Sequence, residues 1–190
     1  MDVRKRFEAW YLKVQDEHLK AFEAQNVEDI ERLMKAIVAA RRIFVLGSGR
    51  EGIAARSFAM RLMHLGKEVH WVWDDTTPGM GAGDLFIVNS GCGRVGHLHY
   101  VAQRAKAAGA TLAVITGAPN EETPALADLV VFVPAHVYLG TDPRCVPSEQ
   151  PMGNLYEQHC FMLFDIIIML LEEELHLDHD KMEARHRNVE

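Results

Sequence analysis

Two glycine-punctuated segments hold the residues best suited to chemistry. The first is Gly47-Ser48-Gly49-Arg50-Glu51-Gly52 and the second is Ser90-Gly91-Cys92-Gly93-Arg94. Each follows a short apolar run and leads toward a helical pattern. A glycine-rich turn entering a helix aims several backbone N–H groups at one point, where the helix dipole also favours negative charge. Two such turns side by side, each carrying an arginine, suit a phosphate or another anion. Ser48, Gly49, Arg50, Glu51, Ser90, Gly91, Cys92, Gly93 and Arg94 are therefore the candidate substrate-binding residues. The same glycines also serve tight strand-to-helix turns that bind nothing. G-x-G-x-x-G is the dinucleotide fingerprint, and Asp74 and Asp75 fall near the place of its ribose-binding acid. Against that reading, a second glycine turn beside the first leaves a pocket better sized for a sugar phosphate, and no G-K-[ST] motif is present.

The elements that must position these turns follow from hydrophobic spacing. Phe7, Trp10, Tyr11, Val14, Leu19 and Phe22 recur at three- and four-residue steps, which predicts a helix over 2–25. Asn26 has the character of an N-cap for a second helix over 27–40, with Glu28 and Asp29 in its first turn. Short apolar runs then alternate with helical patterns: strands at 43–46, 68–73, 85–88, 112–115 and 129–133, and helices at 53–65 and 96–108. Repeated strand–helix–strand units imply right-handed crossovers and a parallel sheet with helices on both faces. The expected fold is α/β: a single three-layer αβα sandwich with a five-stranded parallel, flavodoxin-like sheet of order 2-1-3-4-5 and N-terminal helices. Such sheets bind ligands beyond the carboxyl ends of their strands, where the first and third part. Both glycine segments fall there.

A loop over 135–150 holds Pro143 and Pro147 and precedes an apolar helix over 155–173, where Asn154 and Glu157 have capping-box spacing. Residues 1–40 are expected to pack on the domain and in oligomer contacts, 41–175 to form the domain, and 176–190 to be a polar, histidine-rich tail.

Bulk properties narrow the partners. A chain of 190 residues with 48% hydrophobic and 25% charged residues suits one globular domain. The formal net charge of −7 argues against nucleic acid, whose phosphates call for a basic surface. Cys92, Cys145 and Cys160 are odd in number and widely spaced, as free thiols in a reducing compartment would be. The charged N-terminus is unlike a signal peptide, and the apolar run 161–171 contains Asp165 and falls short of the ~20 residues of a membrane span. The expectation is a cytoplasmic protein with no membrane partner. His97 and His99, two apart on a helix, make a poor metal pair. The apolar stripe on the first helix and the apolar late helix predict burial against other copies, as a dimer or tetramer.

Beyond these local signals, the chain resembles the sugar isomerase (SIS) domain, and within it the 6-phospho-3-hexuloisomerases. The resemblance rests on G-S-G-R-E-G at 47–52, S-F-A-M-R-L-M-H-L-G at 57–66, Thr77-Pro78, Gly83-Asp84-Leu85, S-G-C-G-R at 90–94, Ala127-Asp128-Leu129, P-M-G-N-L-Y-E-Q at 151–158 and R-H-R-N-V-E at 185–190. It covers about the last three quarters of the chain. It implies a homotetramer, a dimer of dimers, that needs no cofactor or metal and converts a 3-hexulose 6-phosphate into fructose 6-phosphate through an enediolate. Such a reaction needs a base near carbon, a proton donor to oxygen and dipoles to steady the charge. The resemblance puts Glu157 in the place of the base, and His64 and His186 at positions able to move protons between oxygens, from a neighbouring subunit.

The chain departs from that family where an anion would sit. Glu51 stands where serine is usual, Cys92 replaces a second serine, and Val95 replaces a threonine or another hydroxyl, while Arg50, Ser90 and Arg94 are kept. These changes open two alternatives: an isomerase of a sugar without phosphate or with a different charge, or a non-catalytic module that binds a sugar phosphate.

Overall fold

A computed structural model describes residues 2–140 and 142–189; Met1, Thr141 and Glu190, the last closing the family-like ending, lie outside it. The chain starts with two helices, α1 (Val3–Glu23) and α2 (Val27–Ala39), capped by the side chains of Asp2 and Asn26. Then follow β1 (Ile43–Gly47), α3 (Gly49–His64), β2 (Val69–Trp71), β3 (Leu85–Asn89), α4 (Gly96–Ala107), β4 (Thr111–Thr116) and β5 (Leu129–Phe132). The last elements are α5 (Asn154–Glu174) and a short α6 (His179–Glu183) within the polar tail. The strands form one parallel sheet of order β2-β1-β3-β4-β5, as the alternation of elements implied.

All residues of β1 and β3 are buried, since side chains on both sheet faces need cover. Ile43, Val45, Ile87 and Ile115 face α3 and α5, packing with Phe58, Leu62, Leu163 and Phe164. Phe44, Leu46, Phe86 and Val88 face the other way, under Leu98 and Ala102 of α4. The layers are unequal. The crossover from β2 to β3 carries no helix among the described residues, so Val72 and Met80 of that loop help α4 cover its face.

Three local expectations change. Helix α3 starts at Gly49, four residues before the periodic apolar pattern, because Gly49 at φ +56° turns the chain straight out of β1. The second strand is shorter than 68–73, since the chain turns after Trp71, where Asp74 N–H donates to the Trp71 carbonyl. Glu157 closes no capping box: Gly153 holds the cap position without a side-chain bond, and the Glu157 carboxylate turns to Arg50. Helix α5 also outruns the apolar run read from the sequence. At 21 residues it is long and apolar enough to cross a membrane by length and composition alone. Its Leu155, Leu163, Phe164, Ile167 and Leu171 are instead buried within the fold, as a core helix requires.

The loop over 135–150 is tied to α1 through Glu17, whose carboxylate accepts from Ser148 Oγ (2.7 Å), Glu149 N (3.0 Å) and Gln150 Nε2 (2.9 Å). Close by, α1 meets α5 at two histidines. His18 Nε2 lies 3.1 Å from Gln158 Oε1, so it carries the proton, and His18 Nδ1 then accepts from His159 Nδ1 at 3.4 Å. This leaves His159 Nε2 as a bare acceptor, fully buried and without a partner among the described residues. Burial, with the neighbouring His18 as a lesser cause, pushes His159 down to about 4. Because the folded value lies below the ordinary one, stability is full above about pH 6.5 and is lost as pH falls toward 4. The shift corresponds to about 3 kcal/mol at the acid end of that window. His159→Phe should flatten this acid slope in urea unfolding followed from pH 7 to pH 4. An unchanged slope would place the acid lability elsewhere.

Candidate active site

The site is assembled by how closely α3 approaches the sheet. A Cβ on Gly47 would stand 2.9 Å from Gly52 Cα, and one on Gly52 would stand 2.7 Å from the Gly47 carbonyl oxygen. Only glycine at both positions lets the first turn of α3 lie on the end of β1. Helix α5 runs alongside α3 in the same direction: Arg50 meets Glu157 near their starts, and Phe58 stacks on Phe164 at 4.6 Å further along. Both helices thus begin at the carboxyl edge of the sheet, where α4 also begins.

These three helix starts share a feature. The cap positions of α3, α4 and α5 are held by Ser48, Val95 and Gly153, and none makes a side-chain cap bond. The caps of α1, α2 and α6, by contrast, use Asp2, Asn26 and Asp178. At α3 and α4 an uncapped start leaves first-turn amides available to an outside acceptor, whereas at α5 Asn154 N–H donates to the Pro151 carbonyl (3.2 Å) and Tyr156 N–H to the His136 carbonyl (3.3 Å).

The titratable groups are unequally placed. Glu51, in the first turn of α3, reaches across to the second glycine turn, where its Oε2 accepts the Gly91 N–H at 3.0 Å. Burial is the main influence on this carboxyl; the Gly91 bond lowers it, the charge of Glu157 raises it, and it ends up at about 7. Glu157 is paired instead, with Arg50 Nε 2.9 Å from its Oε2, a charge contact outside hydrogen-bond geometry. Arg94 turns from the cradle toward Glu121, 3.6 Å away, with Gly140 alongside. Gly93, at φ +63°, holds that turn against Ala118 and Pro124 with no room for a side chain. Cys92 is half-buried, and the buried Ser90 hydroxyl has no partner among the described residues. Asp74, a candidate ribose-binding acid, pairs with Arg56 on the surface.

His64 and His186 are elsewhere. At 1.5 Å per residue, α3 carries His64 about 22 Å from Gly49. There it stacks on His186 with ring centroids 5.4 Å apart, in a cleft of about 850 Å³ that Arg61, Asp165, Glu172 and Met182 also line. Burial, then Arg61 and His186, holds His64 below its ordinary value. The tail is fastened here by Arg185, which donates to the His64 carbonyl at 3.1 Å. Within one chain, then, the fold joins Glu51, Arg50, Glu157 and Gly91 but sets the two histidines apart. Among the described residues no three His, Cys, Asp or Glu side chains group closely enough to hold a metal ion.

The SIS domain model matches residues 36–138, more than half of the chain. The chain belongs to the SIS domain family. It is 37% identical over 177 residues to a Mycobacterium gastri protein named 3-hexulose-6-phosphate isomerase, covering 93% of this chain and 88% of that protein. A Bacillus subtilis protein of the same name is 36% identical over 163 residues, with 86% and 88% covered. A Methanococcus jannaschii protein, whose crystal structure was taken to infer a 3-hexulose-6-phosphate isomerase, has a TM-score of 0.83 at 29% identity, over 96% of this chain and 99% of that one.

The SIS match takes in both glycine turns but stops short of α5 and Glu157, which the longer relatives' matches reach. Two further residues tie this candidate site together: Asn89, not singled out from the sequence, and Tyr156, quoted there only within the 151–158 segment and given no role. Asn89 ends β3; its Nδ2 donates to the Glu51 carbonyl at 3.0 Å. The fully buried Tyr156 lies under Gly91, its hydroxyl 2.7 Å from Asn89 Oδ1 and 3.0 Å from the Ile115 carbonyl. The available signal was a polar Asn closing an apolar strand and a Tyr directly beside Glu157. Tyr156→Phe leaves Asn89 Oδ1 with only the Cys160 thiol at 3.7 Å, while the Ile115 carbonyl keeps the Ser90 N–H at 3.0 Å, so the loss of the hydroxyl should cost about 1 kcal/mol in urea unfolding. A loss within error would show that this network does not hold the turns together.

Proposed function

We propose that this chain is a sugar-phosphate isomerase that interconverts a 3-hexulose 6-phosphate and fructose 6-phosphate. Relatives carrying the name 3-hexulose-6-phosphate isomerase, matched over most of the chain, support that substrate class. The observation that carries the reading is a carboxylate, Glu157, held by Arg50 beside three uncapped helix starts.

In the proposed mechanism Glu157 takes the proton from C2, next to the C3 carbonyl, and the electron pair moves onto that oxygen to give an enediolate. The proton returns at C3 and the carbonyl is left at C2. Arg50 steadies the carboxylate and the developing negative charge. The free amides and the Ser90 hydroxyl receive the phosphate. His64 and His186 of a neighbouring protomer move the proton between the two oxygens, a task that suits the titration range of imidazole. The assembly this requires is a homotetramer, a dimer of dimers, in the cytoplasm. Supporting it, Ile53 and Met60 of α3, Phe161 and Met162 of α5, and Phe7 and Trp10 of α1 all present exposed apolar surface. A groove of about 760 Å³ lined by several of them opens onto Arg50 and Glu157.

An assay coupling fructose 6-phosphate formation to a reporter enzyme tests the reading. The protein should turn over 3-hexulose 6-phosphate, elute as a tetramer, and lose about 10²- to 10⁴-fold in kcat on Glu157→Gln while still binding substrate. No turnover by a folded tetramer would refute the activity. Full turnover by the Gln variant would move the base elsewhere, and a monomer would refute the subunit-sharing site.

A further inference from the structure

The carboxylate of Glu51 occupies the position where the proposed function needs a ligand. Its Oε2 already holds the Gly91 N–H at 3.0 Å, one of the amides offered to a phosphate oxygen. The surroundings are close: a Cβ at Gly91 would lie 2.5 Å from Glu51 Oε1 and 3.0 Å from the Tyr156 ring. Next to Gly91, the fully buried Ser90 hydroxyl bonds to nothing among the described residues, a polar group awaiting a partner. The cradle thus contains an anion supplied by the protein itself.

The groups facing Glu51 do little to neutralise it. On its own helix Arg50 is committed to Glu157. From α5 come Glu157, Tyr156 and the buried Cys160; on the second turn Cys92 lies toward Tyr156 and Arg94 is directed at Glu121. Among the described residues no basic side chain pairs with Glu51. A phosphate ester, doubly charged above about pH 6, meets like charge at close range while Glu51 is ionised.

Resting on the isomerase reading above, we propose that Glu51 is a specificity-determining residue that admits a phosphorylated ketose to the cradle only as it takes up one proton from solvent. Protonation turns the carboxylate into a hydroxyl donor, which releases the Gly91 amide and adds a hydrogen bond toward the incoming oxygen. The chain thereby selects ligands by charge at a place where a neutral hydroxyl side chain would not. The environment of Glu51 sets the range in which this matters, since a carboxyl at about 7 changes state near neutral pH.

Calorimetric titration with fructose 6-phosphate from pH 7 to pH 9, in two buffers of different ionisation enthalpy, tests this. With Glu51 titrating at about 7, the wild-type Kd should rise roughly fifty-fold across that range, with uptake of about one proton at the upper end. Glu51→Gln and Glu51→Ser should both bind with a flat profile and no uptake, and either folded variant decides the matter. Fructose itself should give no slope in any of the three proteins. Binding of the phosphate ester by the variants alone would overturn the proposal, and the isomerase reading with it, because the wild type would then not admit the ester even where Glu51 is protonated. A flat wild-type profile, an equal slope in the variants, or a slope with fructose would overturn it while leaving the isomerase reading intact. No binding by any of the three at any pH would overturn both.

Discussion

The backbone of α3 touches the end of β1 at a distance that no side chain tolerates, Gly52 against Gly47. That contact fixes where α3 begins and therefore where its first amides point. Stacking of Phe58 on Phe164 then aligns α5 with α3, and the parallel run brings a second helix start, with Glu157, to the same edge. Asn89 and Tyr156 tie the end of β3 to both helices from beneath. A side chain at Gly47 or Gly52 would lift α3 from the sheet and separate groups that lie far apart in the sequence.

The electrostatic character of the edge follows from that packing. Helix starts contribute partial positive charge without ionisable groups, which lets an acidic chain keep a local anion site. The arginines nearby are each matched to a carboxylate, Arg50 to Glu157 and Arg94 to Glu121. Two carboxyls of the same chemistry consequently have unlike partners. Glu157 has a cation at 2.9 Å, whereas Glu51 has only one amide and a buried setting. Neighbouring carboxyls in unlike surroundings can divide acid and base work between them.

Much of this was legible in the sequence because it is local. Apolar runs of strand length alternating with helical patterns gave the parallel sheet, and the rule for its open edge placed both glycine turns together. The start of α3 was misjudged because its first turn is Gly-Arg-Glu-Gly, which carries no apolar period. Glu157 read as a cap because spacing shows which residues are near in sequence and not what a side chain meets across the fold. The same limit hid the Glu51–Gly91 bond, 40 residues apart, and the Tyr156–Asn89 bond, 67 apart. The separation of His64 from the glycine turns was already implicit in one helix over 53–65, and the start of α3 at Gly49 lengthens it.

A crystal structure of the assembled protein with fructose 6-phosphate bound bears most directly on the account. The phosphate should lie between the first turn of α3 and the Ser90 turn, with C2 and C3 within about 3.5 Å of the Glu157 carboxylate and a neighbour's paired histidines over the sugar oxygens. Density for the sugar in the cleft between Arg61 and His186 of its own chain, with Glu157 still closed on Arg50 and no ligand nearby, would contradict it.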